Sequence, residues 1–180
     1  MQNIRKFSGF SLIELMIGIL VLSVIAAVGI PNFSNWVQDT KTRTAAESLQ
    51  TGVRLAQAEA VNSGRQVVFF ITDTEPTIDA VATTVGSNWG IRSIKLAQNE
   101  PEKFIQGAVL DGQTGDVVVT ASSAELRFNS IGRLTNTASR VTFEVRNSKG
   151  SRRLNVVVSN SGSVRMCDPD KSITTAADGC

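Results

Sequence analysis

Residues 10–30 read FSLIELMIGILVLSVIAAVGI, and Glu14 is the one charged residue among them. At ~1.5 Å per residue a helix of that length spans ~30 Å, the thickness of a bilayer's hydrocarbon core. Arg5 and Lys6 precede the run, and no comparable basic cluster follows closely. The positive-inside rule then places the N-terminus in the cytoplasm and the rest of the chain outside. A cleaved secretory signal fits poorly. The apolar run is longer than the usual ~7–15 residues, lacks a good A-x-A site followed by a loop, and continues into further helical periodicity.

The remainder is the size of one ordinary domain, since the whole chain has 180 residues. With 42% hydrophobic and 19% charged residues, wholesale disorder is excluded. Histidine is absent, which removes every Ser-His, Cys-His and His-metal arrangement. Two cysteines cannot build a four-cysteine zinc site. Neither G-x-x-x-x-G-K-[ST] nor G-x-G-x-x-G occurs, so no nucleotide site is expected. Asp168-Pro169-Asp170 is a weak calcium signal without the EF-hand pattern. The composition therefore predicts neither an enzyme nor a cofactor or metal.

Beyond Arg5 and Lys6 the chain is neutral, but its charge is uneven. Residues 73–116 carry Asp73, Glu75, Asp79, Glu100, Glu102, Asp111 and Asp116 against Arg92, Lys95 and Lys103. Residues 121–165 carry Arg127, Arg133, Arg140, Arg146, Lys149, Arg152, Arg153 and Arg165 against Glu125 and Glu144. A solvated mixed surface and a nucleic-acid footprint are the two readings of that asymmetry.

Glu14 requires a reason, because a carboxylate deep in a membrane costs roughly 2–3 kcal/mol or more. One reading is a capping box with Ser11 as N-cap. The other is pairing with a positive charge from another chain. The stretch from Lys6 to Leu15, KFSGFSLIEL, resembles the class III signal of type IV pilins and type II secretion pseudopilins. That signal is a basic leader ending in Gly, then Phe, then an apolar helix with Glu at its fifth position. The resemblance implies cleavage by a prepilin peptidase between Gly9 and Phe10, N-methylation of Phe10, and pairing of Glu14 with a neighbour's Phe10 amine during assembly. Pro31 matches the family's helix-kinking proline, and proline removes a backbone donor there.

From Asn35 to Ser63 the period stays helical. Thr42, Ala45, Leu49, Val53, Ala56 and Ala60 form one narrow stripe suited to docking on a sheet. Gly64 is placed to stop the helix in the left-handed conformation. Beyond it, strands are expected at 66–72, 89–96, 117–120, 125–128, 140–146, 152–159 and 164–166. Residues 73–88 and 97–116 read as loops. Asn147–Gly150 and Asn160–Gly162 read as hairpin turns with glycine at positive φ, which makes the last strands antiparallel.

The helix end Arg54–Gly64 is similar to the R-x-A-x-x-E-A-x-x-x-G end of the GspH/FimT family. Phe128–Arg133 resembles its F-x-x-x-G-R turn, and the 152–165 hairpin its final strand pair. The implied fold is α+β, pilin-like: a long N-terminal helix, transmembrane then amphipathic, on an antiparallel β-domain. The expected divisions are a leader at 1–9, a transmembrane or filament-core helix at 10–30, an amphipathic half at 31–64, a β-domain at 65–166 and a C-terminal loop at 167–180. Cys167 and Cys180 are expected to close that loop as a disulfide, as pilins typically do. The periplasmic side is oxidising, and closure gains roughly 3 kcal/mol in the chain-entropy model.

The resemblance implies a minor pilin at or near a type IV pilus tip. Its partners would be other minor and major pilins, the prepilin peptidase, the inner-membrane assembly platform and inner-membrane lipid. The alternatives are a type II secretion minor pseudopilin and a DNA-binding minor pilin for natural transformation. DNA binding in some relatives uses G-R-x-R; here the stretch is Gly162-Ser163-Val164-Arg165, with serine in place of the first arginine. Arg152, Arg153 and Arg165 are the candidate DNA contacts, though adjacent Arg152 and Arg153 point to opposite faces of a strand.

Overall fold

The computed structural model describes residues 11–95, 101–110, 115–135 and 140–180, with the side chains of 28–32 outside that description. Helix α1 runs Leu12–Ser63. Among the described residues nine strands follow: β1 Val67–Thr72, β2 Val85–Gly86, β3 Asn88–Ser93, β4 Lys103–Val109, β5 Val117–Ala121, β6 Glu125–Phe128, β7 Val141–Asn147, β8 Arg153–Val158 and β9 Val164–Cys167. They form two antiparallel sheets, ordered β4-β3-β1-β6 and β2-β5-β7-β8-β9. The chain divides into two compact units, residues 1–37 and 38–180.

In the larger unit the helix docks through small side chains. Thr42, Ala45, Ala46, Leu49, Val53, Ala56 and Ala60 are all buried, which is the stripe read from the sequence with Ala46 added. Small residues let a helix lie close to a sheet. Gly52 shows how close: a Cβ there would meet the Trp89 ring at 2.9 Å and the Phe69 ring at 3.0 Å. The same core takes the inward residues of both sheets, among them Phe69, Ile71, Ile91, Val119, Leu126, Phe143, Val145 and Val156. Phe69 of the first sheet stacks on Trp89 at 5.6 Å and meets Phe143 of the second edge-on at 5.8 Å. Each large side chain buried here contributes about 1.5–3 kcal/mol. Trp89 keeps its indole N–H satisfied by donating to Ser48 Oγ at 3.1 Å.

Two stretches read as loops contain strands. Residues 97–116 include β4, and residues 73–88 include β2. β4 (KFIQGAV) escaped a period-two reading because it is an edge strand, exposed or half-buried along its whole length. Its Gly107 is required by a close approach, since a Cβ there would strike Pro76 at 2.6 Å. Residues of the 73–84 connection cover the far face of the first sheet, where Val68, Phe70 and Ala80 form a second small cluster. Arg92 fastens that cover. It lies 4.9 Å over the Phe70 ring, donates to the Ile78 carbonyl and pairs with Glu125 at 2.8 Å.

Gly64 and Gly162 take positive φ (65° and 89°), as their turns predict. Gly150 does not. The Asn147–Gly150 turn is closed instead by the Asn147 side chain, whose Oδ1 accepts from the Lys149 N–H at 2.8 Å.

Candidate functional site

In the N-terminal unit the described residues form a helix whose apolar side chains are exposed. Leu12, Ile13, Leu15, Met16, Ile17, Ile19, Leu20, Val21, Leu22, Val24 and Ile25 are all exposed, around every side of α1. A helix apolar all round is stable only when something else covers it. Ser11 caps it, with Oγ accepting from the Glu14 N–H at 3.3 Å. That is half of a capping box. The Glu14 carboxylate is exposed and has no hydrogen bond or ion pair among the described residues. Gly9 and Phe10, the expected cleavage and methylation positions, lie outside the described residues, as does the side chain of Pro31. Among the described residues no helix is long and apolar enough to cross a membrane. The span read at 10–30 includes Phe10 and the side chains of residues 28–30, which fall outside that description.

In the larger unit the three motifs that carried the second resemblance converge. Gln57, from the helix end, donates through Nε2 to the carbonyl of Gly132 at 2.8 Å. Gly162 packs into the same point: a Cβ on it would lie 2.2 Å from Gln57 Nε2 and 2.3 Å from the Gly132 oxygen. Gly132 itself holds φ 75°. Arg54 reaches the Val164 carbonyl at 3.5 Å, and Leu134 N–H donates to Asn160 O at 3.1 Å. Gln57 was not singled out from sequence; it occupies an unspecified position of the helix motif.

A second missed cluster ties the β7–β8 hairpin to the helix. Buried Asp116 pairs with Lys149 at 2.8 Å and Lys41 at 3.6 Å. Hydrogen bonding from Lys149 is the main cause holding the Asp116 carboxyl below its ordinary value. Asn147 donates to Gln38 Oε1 at 3.0 Å. Residues 38–41 belong to the helix and 116 lies just before β5, far along the chain, so no local pattern announces the site.

The C-terminal loop is ordered by its own contacts. Cys167 and Cys180 are joined as a disulfide, with Cα atoms 5.1 Å apart. Asp168 and Gly179 form a parallel bridge. Arg153 grips Asp170, its Nε lying 3.1 Å from both carboxylate oxygens. That hydrogen bonding raises Arg153 and lowers Asp170 from their ordinary values. Lys171 and Asp178 pair at 2.6 Å with the same opposed shifts. Among the described residues no three His, Cys, Asp or Glu side chains converge as metal ligands. The three arginines considered for DNA are each engaged differently. Arg153 is taken by Asp170, Arg165 Nη2 donates to the Cys180 carbonyl at 3.4 Å, and Arg152 lines a shallow concavity with Arg43 and Leu154. Arg152 lies just before β8, and Arg153 is its first residue.

A helix docked on antiparallel sheets in the larger unit, with an exposed apolar helical segment in the other, defines the pilin-like fold. The chain belongs to the GspH family: the family model described as Type II transport protein GspH matches residues 45–162, and that for the prokaryotic N-terminal methylation motif matches residues 4–30. The chain is similar to two fimbrial proteins of Pseudomonas aeruginosa, each 28% identical over 112 residues, which is 61% of this chain and 72% of the relative. Solved structures of two known proteins share the fold. One is the type IV minor pilin FimU of Pseudomonas aeruginosa, with TM-score 0.56 and 17% identity over 76% of this chain and 95% of that one. The other is the minor pseudopilin EpsH of the Vibrio cholerae type 2 secretion system, with TM-score 0.51 and 16% identity over 73% of this chain and 99% of that one. Family and motif together imply a membrane-anchored subunit of a pilus or pseudopilus that assembles with other pilins.

Proposed function

We propose that this chain is a minor pilin, a structural subunit without catalytic activity, built into a type IV pilus at or near its tip. The observation that carries the reading is the apolar helix from Leu12 to Ile25, exposed on every side in the isolated chain. Inner-membrane lipid would cover it before assembly, and the helices of other minor and major pilins afterwards. Such heterologous packing extends into a filament. The N-terminus would lie in the cytoplasm and the globular unit in the periplasm, then outside the cell. A prepilin peptidase would cut between Gly9 and Phe10 and methylate the Phe10 amine, and the assembly platform would drive incorporation. Glu14, capped at its N–H and with no carboxylate partner among the described residues, would be the group to meet a neighbour's Phe10 amine, while Pro31 would loosen the helix at the end of the apolar run.

N-terminal sequencing and intact mass of the membrane-extracted protein test this. A mature chain beginning at methylated Phe10 is expected, and any other start refutes the assignment. The type II secretion pseudopilin reading draws on the family model over residues 45–162. The C-terminal disulfide favours the pilus. Neighbouring genes for an outer-membrane secretin and secreted hydrolases would reverse that order. A role in DNA uptake ranks third, because Ser163 replaces an arginine and Arg153 is already engaged by Asp170.

A further inference from the structure

The outer face of the five-stranded sheet is basic, and an acidic segment of the same chain engages it. Along β7 the buried Val141, Phe143 and Val145 face the core, so Thr142, Glu144 and Arg146 face outward. The register carries that face across the sheet. Arg153 lies opposite Arg146, Asn155 opposite Glu144 and Cys167, and Val157 opposite Thr142 and Arg165. Three arginines and one glutamate therefore share a face whose strands are ~5 Å apart. Arg146 and Arg153 are like charges directly opposite each other, an arrangement that repels unless a counter-charge is supplied.

Segment 168–180 supplies it. Its charged side chains are Asp168, Asp170 and Asp178 against Lys171. Asp170 takes Arg153 in a two-oxygen grip, and the Cys180 carbonyl takes Arg165. The segment is anchored on this face at Cys167 and closed by the disulfide. Val157, on the same face and outside the main core cluster, is only 8% exposed.

We propose that segment 168–180 is an acidic cover latched over a basic sheet face, and that by holding Arg153 and Arg165 it keeps that face from binding linear polyanions. The cover acts as a tethered competitor: its effective concentration at the face is of the order of millimolar, because the loop is short and closed at both ends. Removing its charge or its latch leaves Arg146, Arg153 and Arg165 together, with Glu144 as the remaining acid.

The test uses the full chain in nonionic detergent, with a labelled DNA duplex of roughly 30 base pairs as a polyanion of defined charge density. Wild type is compared with Asp170→Asn, with Cys167→Ser/Cys180→Ser, and with Asp79→Asn as a charge-matched control elsewhere. At ~50 mM salt Asp170→Asn and the cysteine pair should each bind at least about fivefold more tightly than wild type. The log K against log salt slope should steepen by roughly 0.9 for each arginine released. Adding Arg153→Gln to Asp170→Asn should abolish the gain. Equal binding by wild type and Asp170→Asn overturns the proposal, as does an equal gain in Asp79→Asn. Asp170→Asn keeps the disulfide, so it decides the matter even where the cysteine pair does not fold.

Discussion

Gln57 donates its side-chain amide to the carbonyl of Gly132 across 2.8 Å, and Gly162 sits against both groups. One hydrogen bond thereby holds the end of the helix to two turns more than seventy residues further along the chain. Gly162 can occupy the point because it has no Cβ and holds φ 89°. We expect Gly162→Ala to destabilise the globular unit by at least about 2 kcal/mol, since it combines a left-handed conformation with a clash against backbone. Gln57→Ala should cost about 1 kcal/mol, the worth of an ordinary hydrogen bond. Denaturant midpoints of the two variants check the order. If Gly162→Ala is neutral, the junction is looser than these distances state.

Glu14→Ala and Glu14→Val should insert into membranes at wild-type levels, because both make the helix more apolar. They should reduce incorporation into filaments by at least about tenfold, the effect of losing more than ~1.4 kcal/mol at each contact. Shearing filaments from cells and comparing sheared with membrane-bound protein measures this. Normal incorporation would mean that Glu14 matters only through the cap made by its N–H to Ser11.

Mass spectrometry under non-reducing conditions should find the chain two hydrogens lighter than the reduced sequence. Replacing both cysteines with serine should lower stability by up to roughly 3 kcal/mol, the closure entropy of so short a loop. The loss should appear first as proteolytic sensitivity within 168–180, leaving α1 and both sheets intact. Two free thiols in protein taken from the periplasm would contradict the bonded loop.

Asp116, Asp170 and Asp178 are all held below their ordinary values by hydrogen-bonded lysine or arginine partners. A lowered carboxylate binds protons less readily folded than unfolded. Its contribution is therefore complete above the ordinary ~3.9 and is lost as pH falls toward and through the lowered value. Arg153 and Lys171 are raised, so their share persists at neutral pH and declines only in strong alkali. Thermal melting should be flat between pH 7 and about 5 and fall below about 4. Asp170→Asn should remove part of that acid-side loss. A fall beginning near pH 6 would implicate other groups.

DNA binding should be weak and electrostatic in the wild-type chain. A few phosphate contacts, each adding about −0.9 to the log–log salt slope, fade between ~50 and ~200 mM salt. Sub-micromolar binding at the higher salt, abolished by Arg165→Ala, would promote the uptake reading above the filament subunit.

The apolar run with its single Glu14, the small-residue stripe from Thr42 to Ala60 and the stop at Gly64 are consequences of local pattern. Periodicity and turn chemistry act over a few residues, so the sequence alone determined the helix, most strands and the order of the final hairpins. The edge strand β4 was hidden for the converse reason: half-buried along its length, it shows no alternation to read. Gln57 against Gly132, Asp116 against Lys41 and Lys149, and Arg153 against Asp170 could not be seen in the sequence either. Each joins residues far apart in the chain, and the partner of a polar side chain is chosen by which elements the core brings together. Tertiary structure alone decided that the acidic tail segment lies on the basic sheet face. Charge counts state how much of each sign a chain carries, whereas burial and strand register decide which charges meet.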